Sequence, residues 1–516
     1  DNGCDNLDYQ LTNSLNYKYS INNKHNFDAS VLYEYYKTNF RSYSITRKGY
    51  VNGDLPTAGT AVVGVPNTTR SENATVSYFG NINYDFDSKY LVSLYGRRDG
   101  SSVLGVNNKY EFAKGASVGW NVTRESFMSN VKWLNNLKLR ASYGELNSTN
   151  GIGDYSAQNL FSTTQYGGAI GTVLTGSTVG NPNLKFEKAR KSEIGLESAM
   201  FNNWLTFSTS VFSDVRKDFI YGDSTTDGAS FGTLINAGDW TSKGAEIELK
   251  AFAIKNANTT LSFYVNAATF DRKINTLNRP GDPNNQLIRG LTYNRVGRSP
   301  DDFFLVPYAG VDPVNGHALY TKLDGTTTDV YSAGDRAFTG KTPYAKYEGG
   351  FGMQFAYKGF DVSTDFVFKQ GNYTYNYMWS NMNADGNAPT RNQAVNAFDY
   401  WTPSNTTASR PVPRQISGIN SNVESTRYLE DASYIRFRNL NVGYKFTKKA
   451  WTGLPVDEVR IYTQMQNLFT WTKFNGDPEV GIGSAESQTG LLVPGQFALY
   501  SYPTVQSFLF GLSINL

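Results

Sequence analysis

Apolar residues recur at every second position in a series of stretches along this chain, a period that predicts β-strands buried on one face. In the first stretch Leu11, Leu15, Tyr17, Tyr19 and Ile21 share a face, and beyond Asn22-Asn23-Lys24 the next carries Phe27, Ala29, Val31, Tyr33 and Tyr35. That pair predicts a hairpin. The pattern returns at 76 to 86 (Val76, Tyr78, Ile82, Tyr84, Phe86) and, past Asp87-Ser88-Lys89, at 90 to 97 (Tyr90, Val92, Leu94). Further strands centre on Trp120, Leu139, Leu196, Phe207, Leu249, Phe263, Met353, Phe366, Val442, Met465 and Phe510. The count is about fifteen, each of roughly 9 to 13 residues. Around Val442 the apolar phase slips from Ile435 and Phe437 to Leu440, Val442, Tyr444 and Phe446. One extra residue near Arg438-Asn439, a β-bulge, explains the slip.

The opposite face is polar, with Glu246, Glu248 and Lys250 set against Ile247, Leu249 and Ala251, and Arg460, Tyr462, Gln464 and Gln466 set against Ile461 and Met465. A soluble sandwich and a membrane barrel both produce such alternation, and connection lengths separate them. Turns such as 22 to 24, 201 to 204 and 358 to 359 alternate with loops such as 38 to 72, 146 to 189, 271 to 346 and 370 to 432. Short periplasmic turns and long extracellular loops are the signature of an outer-membrane barrel. The connections 124 to 136 and 447 to 458 fall on the short side and are longer than the rule. Strands of this length suit a tilted crossing of a bilayer, and no window approaches the roughly 18 apolar residues of a spanning helix. The expected fold is therefore all-β, a transmembrane antiparallel β-barrel. Ile247, Leu249, Val442 and Met465 face lipid in it, and Glu248, Asn441 and Gln464 face the lumen.

Composition supports strands, since 35 Tyr, 32 Phe and 48 Gly in 516 residues favour sheet and turn. A net charge of +3, without a Lys/Arg cluster interleaved with aromatics, excludes nucleic acid as a partner. Cys4 is the single cysteine, so neither a disulfide framework nor a thiolate metal site is available, and it is expected to be a free thiol. No basic segment followed by an apolar one opens the chain; a signal peptide has been removed or the true N-terminus lies upstream. With only His25 and His317, and no Gly-x-Ser-x-Gly elbow accompanying either, the chain offers no nucleophile and base, so no enzyme, cofactor or metal centre is expected. Asp301-Asp302 lacks the ligand spacing of an EF-hand loop, and Gly349-Gly350 and Gly167-Gly168 fit kinks and turns. Tyr375, Tyr377 and Trp379 are the candidate substrate-facing side chains, able to stack on a sugar or pack on a peptide. The alternative is that they pack the loop itself or an aromatic belt at the membrane surface. Trp401 fits loop architecture better than ligand contact.

Several segments resemble the SusC-like (RagA-like) branch of TonB-dependent transporters, a Bacteroidetes-type family. They are Ser77-Tyr78-Phe79-Gly80 through Tyr84-Asp85, Lys89-Tyr90-Leu91, Arg97-Arg98-Asp99-Gly100-Ser101-Ser102, Leu137 to Gly144, Asn181-Pro182-Asn183-Leu184-Lys185-Phe186-Glu187-Lys188, Gly310-Val311-Asp312-Pro313 with Gly316 and Tyr320, Tyr357 to Asp361, Trp401 to Asn405, Ser433 to Phe437, and Gln466-Asn467-Leu468-Phe469. Their order and spacing carry the likeness. Two departures are Phe112-Ala113, where the family has Phe-Pro, and Leu516, where a terminal aromatic is usual. The resemblance implies a barrel of roughly 22 strands, of which this chain supplies about fifteen as its C-terminal portion, the remaining seven or so and a plug domain lying outside residues 1–516. It further implies nutrient uptake of oligosaccharides or oligopeptides, a SusD-like surface lipoprotein as lid, and a TonB complex acting through the part absent here. The alternatives are a passive porin or surface-adhesion barrel and, behind it, a soluble all-β binding protein.

Overall fold

The computed structural model describes residues 2–48, 63–166, 168–174, 179–224, 232–279, 287–387, 390–414, 421–448, 453, 456–479, 496–497 and 502–515. Its main body is one 15-stranded sheet in which each strand pairs with its neighbours in the chain. The strands are β1 Asn2–Ile21, β2 His25–Lys48, β3 Val63–Phe86, β4 Tyr90–Ser101, β5 Tyr110–Asn121, β6 Leu134–Ser148, β7 Glu187–Met200, β8 Leu205–Lys217, β9 Gly238–Lys255, β10 Thr259–Leu277, β11 Tyr347–Tyr357, β12 Phe360–Gln370, β13 Tyr434–Thr447, β14 Glu458–Thr472 and β15 Ser507–Asn515. All pairings are antiparallel. β1 and β15 stand at opposite ends of the sheet and do not pair with each other.

The expected strands are all present. Asp365 on β12 faces Asn439 while Phe366 faces Phe437, so Arg438 is the extra residue of a bulge at the expected place. The turns at one end hold Asn22, Asn23, Asp87, Ser88, Lys358 and Gly359 at positive φ, as tight hairpin turns demand. One connection at that end, 122–133, packs back on the rim. Its Glu125 accepts from the Tyr90 hydroxyl at 2.6 Å and from Trp120 Nε1 at 3.1 Å.

Two expectations about boundaries are corrected. The segment 38 to 72 is not mainly loop, because the β2–β3 ladder runs on to Lys48↔Val63 and β1 follows it to Asn2↔Ser44. Beyond the bilayer neither face has to be apolar, so the period of two fades, while Thr, Tyr, Phe and Val keep the backbone extended. A 24-residue strand at about 3.3 Å per residue spans about 80 Å, or about 55 Å along the normal at a 45° tilt, more than the roughly 40–45 Å of a whole bilayer. Together, β1 to β3 therefore project outside as a blade. The strand around Trp120 is also displaced, since Trp120 lies next to the last residue of β5 rather than at its centre.

Register divides the sheet into two faces. Ser208, Glu248 and Asn266 share a row, as do Ser210, Glu246, Ala268 and Glu348, and these line a concave surface. Asn441 donates to the Ser363 hydroxyl at 3.0 Å on the same polar side. Leu249 lies between Phe207 and Val265 on the other side, and Met465 between Leu440 and Phe508. Near the long-loop end this outer side carries a ladder of rings, Phe351 on Phe366 at 4.8 Å and Phe366 on Phe437 at 4.4 Å, continued by Trp471 and Phe469. A belt at that level is where aromatic rings meet lipid headgroups.

Aromatic rings on the inner side lie across glycines of the next strand. Tyr95 is opposite Gly115, and a Cβ there would occupy the space of its ring. Tyr264 lies over Gly352 in the same way. The glycine leaves room for the ring, and the ring covers backbone that the glycine would leave bare.

Placing a charge at Leu249 tests the division of faces. Leu249→Arg is expected to lose roughly 2 to 4 kcal/mol of folding free energy in lipid vesicles, while Glu248→Arg folds like the parent. Equal folding of the two variants, measured by denaturant titration, would show the assignment of faces to be wrong.

Candidate functional site

The inner wall and the long loops above it are the two surfaces that a solute entering such a barrel meets. On the wall, the outer ends of β2 to β6 enclose a concave pocket of about 470 Å³ lined by Glu34, Ser77, Phe79, Tyr95, Arg97, Asp99 and Ser101, among others. Register sets Glu34 beside Ser77 and Ser77 beside Asp99, and Phe79 beside Arg97, so all five point inward. Asp99 Oδ1 accepts from Arg97 Nε at 2.6 Å and from the Ser77 hydroxyl at 2.7 Å. Arg97 Nη2 also donates to Ser77 Oγ at 2.9 Å, and Asn147 Nδ2 donates to Asp99 Oδ2 at 3.1 Å. These are charge-assisted bonds in a cleft, which hold the side chains in fixed positions. The Tyr95 hydroxyl donates to the Glu145 carbonyl at 2.8 Å, fixing its ring over Gly115. None of these was singled out as a site residue from sequence. The available signal is that Phe79 and Tyr95 are aromatics on the polar parity of their strands.

The connections 278–346 and 371–433 fold together. Leu291, Phe303 and Leu305 from the first pack with Tyr375, Tyr428 and Leu429 from the second. The second connection also encloses a charged cluster of its own. Asp385, its side chain 1% exposed, accepts from Arg410 at 3.0 and 2.7 Å, from the Ser421 hydroxyl at 2.6 Å and from Arg427. Arg427 reaches across to lie over the Tyr308 ring of the first loop at 5.3 Å. Trp401 Nε1 donates to the Pro313 carbonyl at 3.1 Å, and its ring covers Gly316, whose φ of +74° and lack of a side chain admit it. Trp401 is thus loop architecture, as its sequence context indicated. A third connection is tied in by Arg436, 2% exposed, which holds Asp477 at 2.5 Å and Glu479 at 2.6 Å.

Tyr375, Tyr377 and Trp379 belong to this body. Tyr375 is 1% exposed within the apolar cluster, and Tyr377 and Trp379 pack against it. Tyr377 donates to Glu424 Oε1 at 2.9 Å. Burial pushes both phenols well above the usual tyrosine range, with Glu424 adding to the shift. The placement corresponds to the loop-packing alternative, and Tyr375 has no ring face left to offer a solute. The remaining candidates fall into structural roles. His25 Nδ1 lies 2.9 Å from the Tyr84 hydroxyl and His317 Nδ1 lies 2.7 Å from Asp329. Asp301 accepts from Tyr344 at 2.9 Å and from Asn294 at 3.2 Å. Asp302 accepts from Arg298 at 3.0 Å, and burial raises its pKa. Cys4 is exposed on the blade. No cluster of His, Cys, Asp and Glu able to hold a metal occurs among the described residues.

A sheet of membrane-crossing strands with a polar inner wall, short turns at one end and packed long loops at the other is the wall of an outer-membrane β-barrel. Residues 2–348 match the family described as TonB dependent receptor-like, beta-barrel, and the chain belongs to that family of outer-membrane receptors and transporters, which are not enzymes. It is 29% identical to TonB-dependent receptor P3 of Formosa agariphila over 98% of this chain and 52% of the relative. It is 26% identical to TonB-dependent receptor SusC of Bacteroides thetaiotaomicron over 86% of this chain and 44% of the relative. The structure of the RagAB peptide transporter superposes with a TM-score of 0.86 at 25% identity, covering 99% of this chain and 56% of that one. The chain spans about half the length of the curated relatives it matches.

Removing Asp385 leaves two buried guanidinium groups without their carboxylate, a change that costs roughly 3–5 kcal/mol. Asp385→Ala is therefore expected to open the two-loop body to trypsin within 371–433 while the strands stay protected. Fragment mapping by mass spectrometry checks this, and unchanged resistance of the loop would refute it.

Proposed function

We propose that this chain forms the C-terminal part of the barrel of an energy-coupled importer of oligosaccharides or oligopeptides, working with a SusD-like surface lipoprotein and a TonB complex. The observation that carries the reading is the superposition on the RagAB peptide transporter over nearly the whole chain, joined to the family relation with SusC. The polar inner wall supports passage of a hydrophilic solute. About seven further strands and a plug, encoded outside residues 1–516, complete the assembly. Support comes from the outer edges of β1 and β15, which pair with no strand among the described residues, because unpaired backbone groups in lipid cost several kcal/mol each.

An energised importer is expected to lose uptake when the proton-motive force is collapsed or the TonB partner deleted. Radiolabelled-substrate uptake in those strains checks this, and entry at the parental rate would indicate a passive pore. Affinity purification of the full-length protein is expected to recover a surface lipoprotein in a stoichiometric complex; recovery of the barrel alone at equal yield would remove the lid from the proposal.

A further inference from the structure

We propose that the lipid-facing rim of β4 to β7 binds the phosphate of a phosphorylated lipid headgroup in the outer leaflet. The proposal stands on the membrane placement of the strands and does not depend on what is imported. Register sets the face. Arg98 lies beside Tyr78 on β3 and Phe112 on β5, Lys114 beside Gly96, Tyr143 beside Ala116, and Glu145 beside Arg190. Tyr78, Phe112 and Tyr143 are exposed on the outside of the sheet, as are Leu94, Val118 and Ile194 at the same parity nearer the turns. Among the described residues on that face of β4 to β7, Arg98, Lys114, Lys188 and Arg190 stand against the carboxylate of Glu145 alone. Lys188 is taken up by Glu111, to which it donates at 2.5 Å. Glu145 accepts from the Tyr143 hydroxyl at 2.7 Å and lies 3.1 Å from Arg190 Nε. It matches one of the three remaining cations. Arg98 and Lys114, both exposed, are diagonal neighbours across β4 and β5, and like charges so placed repel unless an anion lies between them.

Two further features suit a headgroup. The ladder between β5 and β6 stops at Gly115↔Gly144, although both strands run on toward the long loops. In the notch so formed side chains stand in for the ladder: Lys188 donates to the Phe112 carbonyl at 2.9 Å, Asn147 to that of Glu111 at 3.3 Å, and the Tyr95 hydroxyl to that of Glu145 at 2.8 Å. Lys114 and Glu145 flank this notch on its lipid side. The level is also right. Arg98 is eight residues above Tyr90 at the turn end, about 19 Å along the normal at a 45° tilt in an apolar band about 25 Å tall. Its guanidinium leans over the Tyr110 ring at 4.9 Å, toward the long-loop end, as long cationic side chains beside lipid do. Leu94 and Val118 below the cations meet acyl chains, so the anion that reaches this face belongs to a lipid. Phosphate fits better than carboxylate, because its several oxygens take a guanidinium fork and an ammonium together. Lys114, Glu145 and Arg190 lie outside the segments that carry the family resemblance.

The test places the full-length protein in phosphatidylcholine nanodiscs containing either lipid A or its dephosphorylated form, and reads the lipid retained after transfer to detergent by native mass spectrometry. Phosphorylated lipid A is expected to be retained about tenfold over the dephosphorylated form. Joint replacement by Arg98→Gln and Lys114→Gln is expected to lower that retention about tenfold, while Lys114→Arg keeps it within about threefold. If the double variant fails to give a heat-modifiable barrel, Lys114→Gln alone and the comparison of the two lipids on the parent protein decide. Equal retention of the two lipids, or retention unchanged in the glutamine variants, would overturn the site. Displacement of the lipid by inorganic phosphate at equal concentration would show an anion site indifferent to lipid, and would overturn the headgroup assignment.

Discussion

Backbone polar groups inside a bilayer have no water to turn to, so each has to be paired within the protein. The rest of the structure depends on that constraint. It requires a continuous antiparallel ladder and makes period-two alternation the dominant pattern in the chain. It also confines irregular backbone to the two ends, where water is available. The tight turns at one end and the large loop body at the other are what the ladder permits once the membrane has been crossed. Even the bulge at Arg438 respects it, because one unmatched residue bends the sheet without opening it.

Above the membrane the organising force changes. The two longest loops build a small core of their own from Leu291, Phe303, Leu305, Tyr375, Tyr428 and Leu429, and the second of them folds round a buried charged cluster. Two arginines on one aspartate form a poor source of net stability, since desolvation offsets most of the attraction. What the cluster does supply is selectivity of arrangement. Asp385, Arg410 and Arg427 all lie within 371–433, so their pairing fixes the fold of that one loop, and Arg427 carries it to the other loop through the Tyr308 ring.

The strands were legible because the membrane imposes the same rule on each of them, and the phase slip near Arg438-Asn439 was readable for the same reason. Outside the membrane that rule lapses, which is why the continuation of β1 to β3 beyond Thr38 escaped notice. Tyr375, Tyr377 and Trp379 show a second limit. Aromatic residues close together in a loop have the same spacing whether they pack on one another or await a ligand, and only the partner loop, far away in sequence, decides. Phe79 and Tyr95 were more accessible to inference than they seemed. Each breaks the polar parity of an otherwise regular strand, and such breaks point to the lumen.

Pairing only between neighbours in the chain has a consequence for assembly. Loop closure between distant segments is what slows the folding of most sheets, and within the 15-stranded sheet each strand pairs only with the strands before and after it, the widest gap being the connection 278–346 between β10 and β11. The sheet can lengthen one hairpin at a time, and at every stage it has one growing edge and one waiting edge, whatever its width. The long loops do not obstruct this order, since each leaves and re-enters between adjacent strands. An insertion machine therefore has to shield a single moving seam for as long as the chain is being delivered, and the loop body above can settle after the wall beneath it is in place.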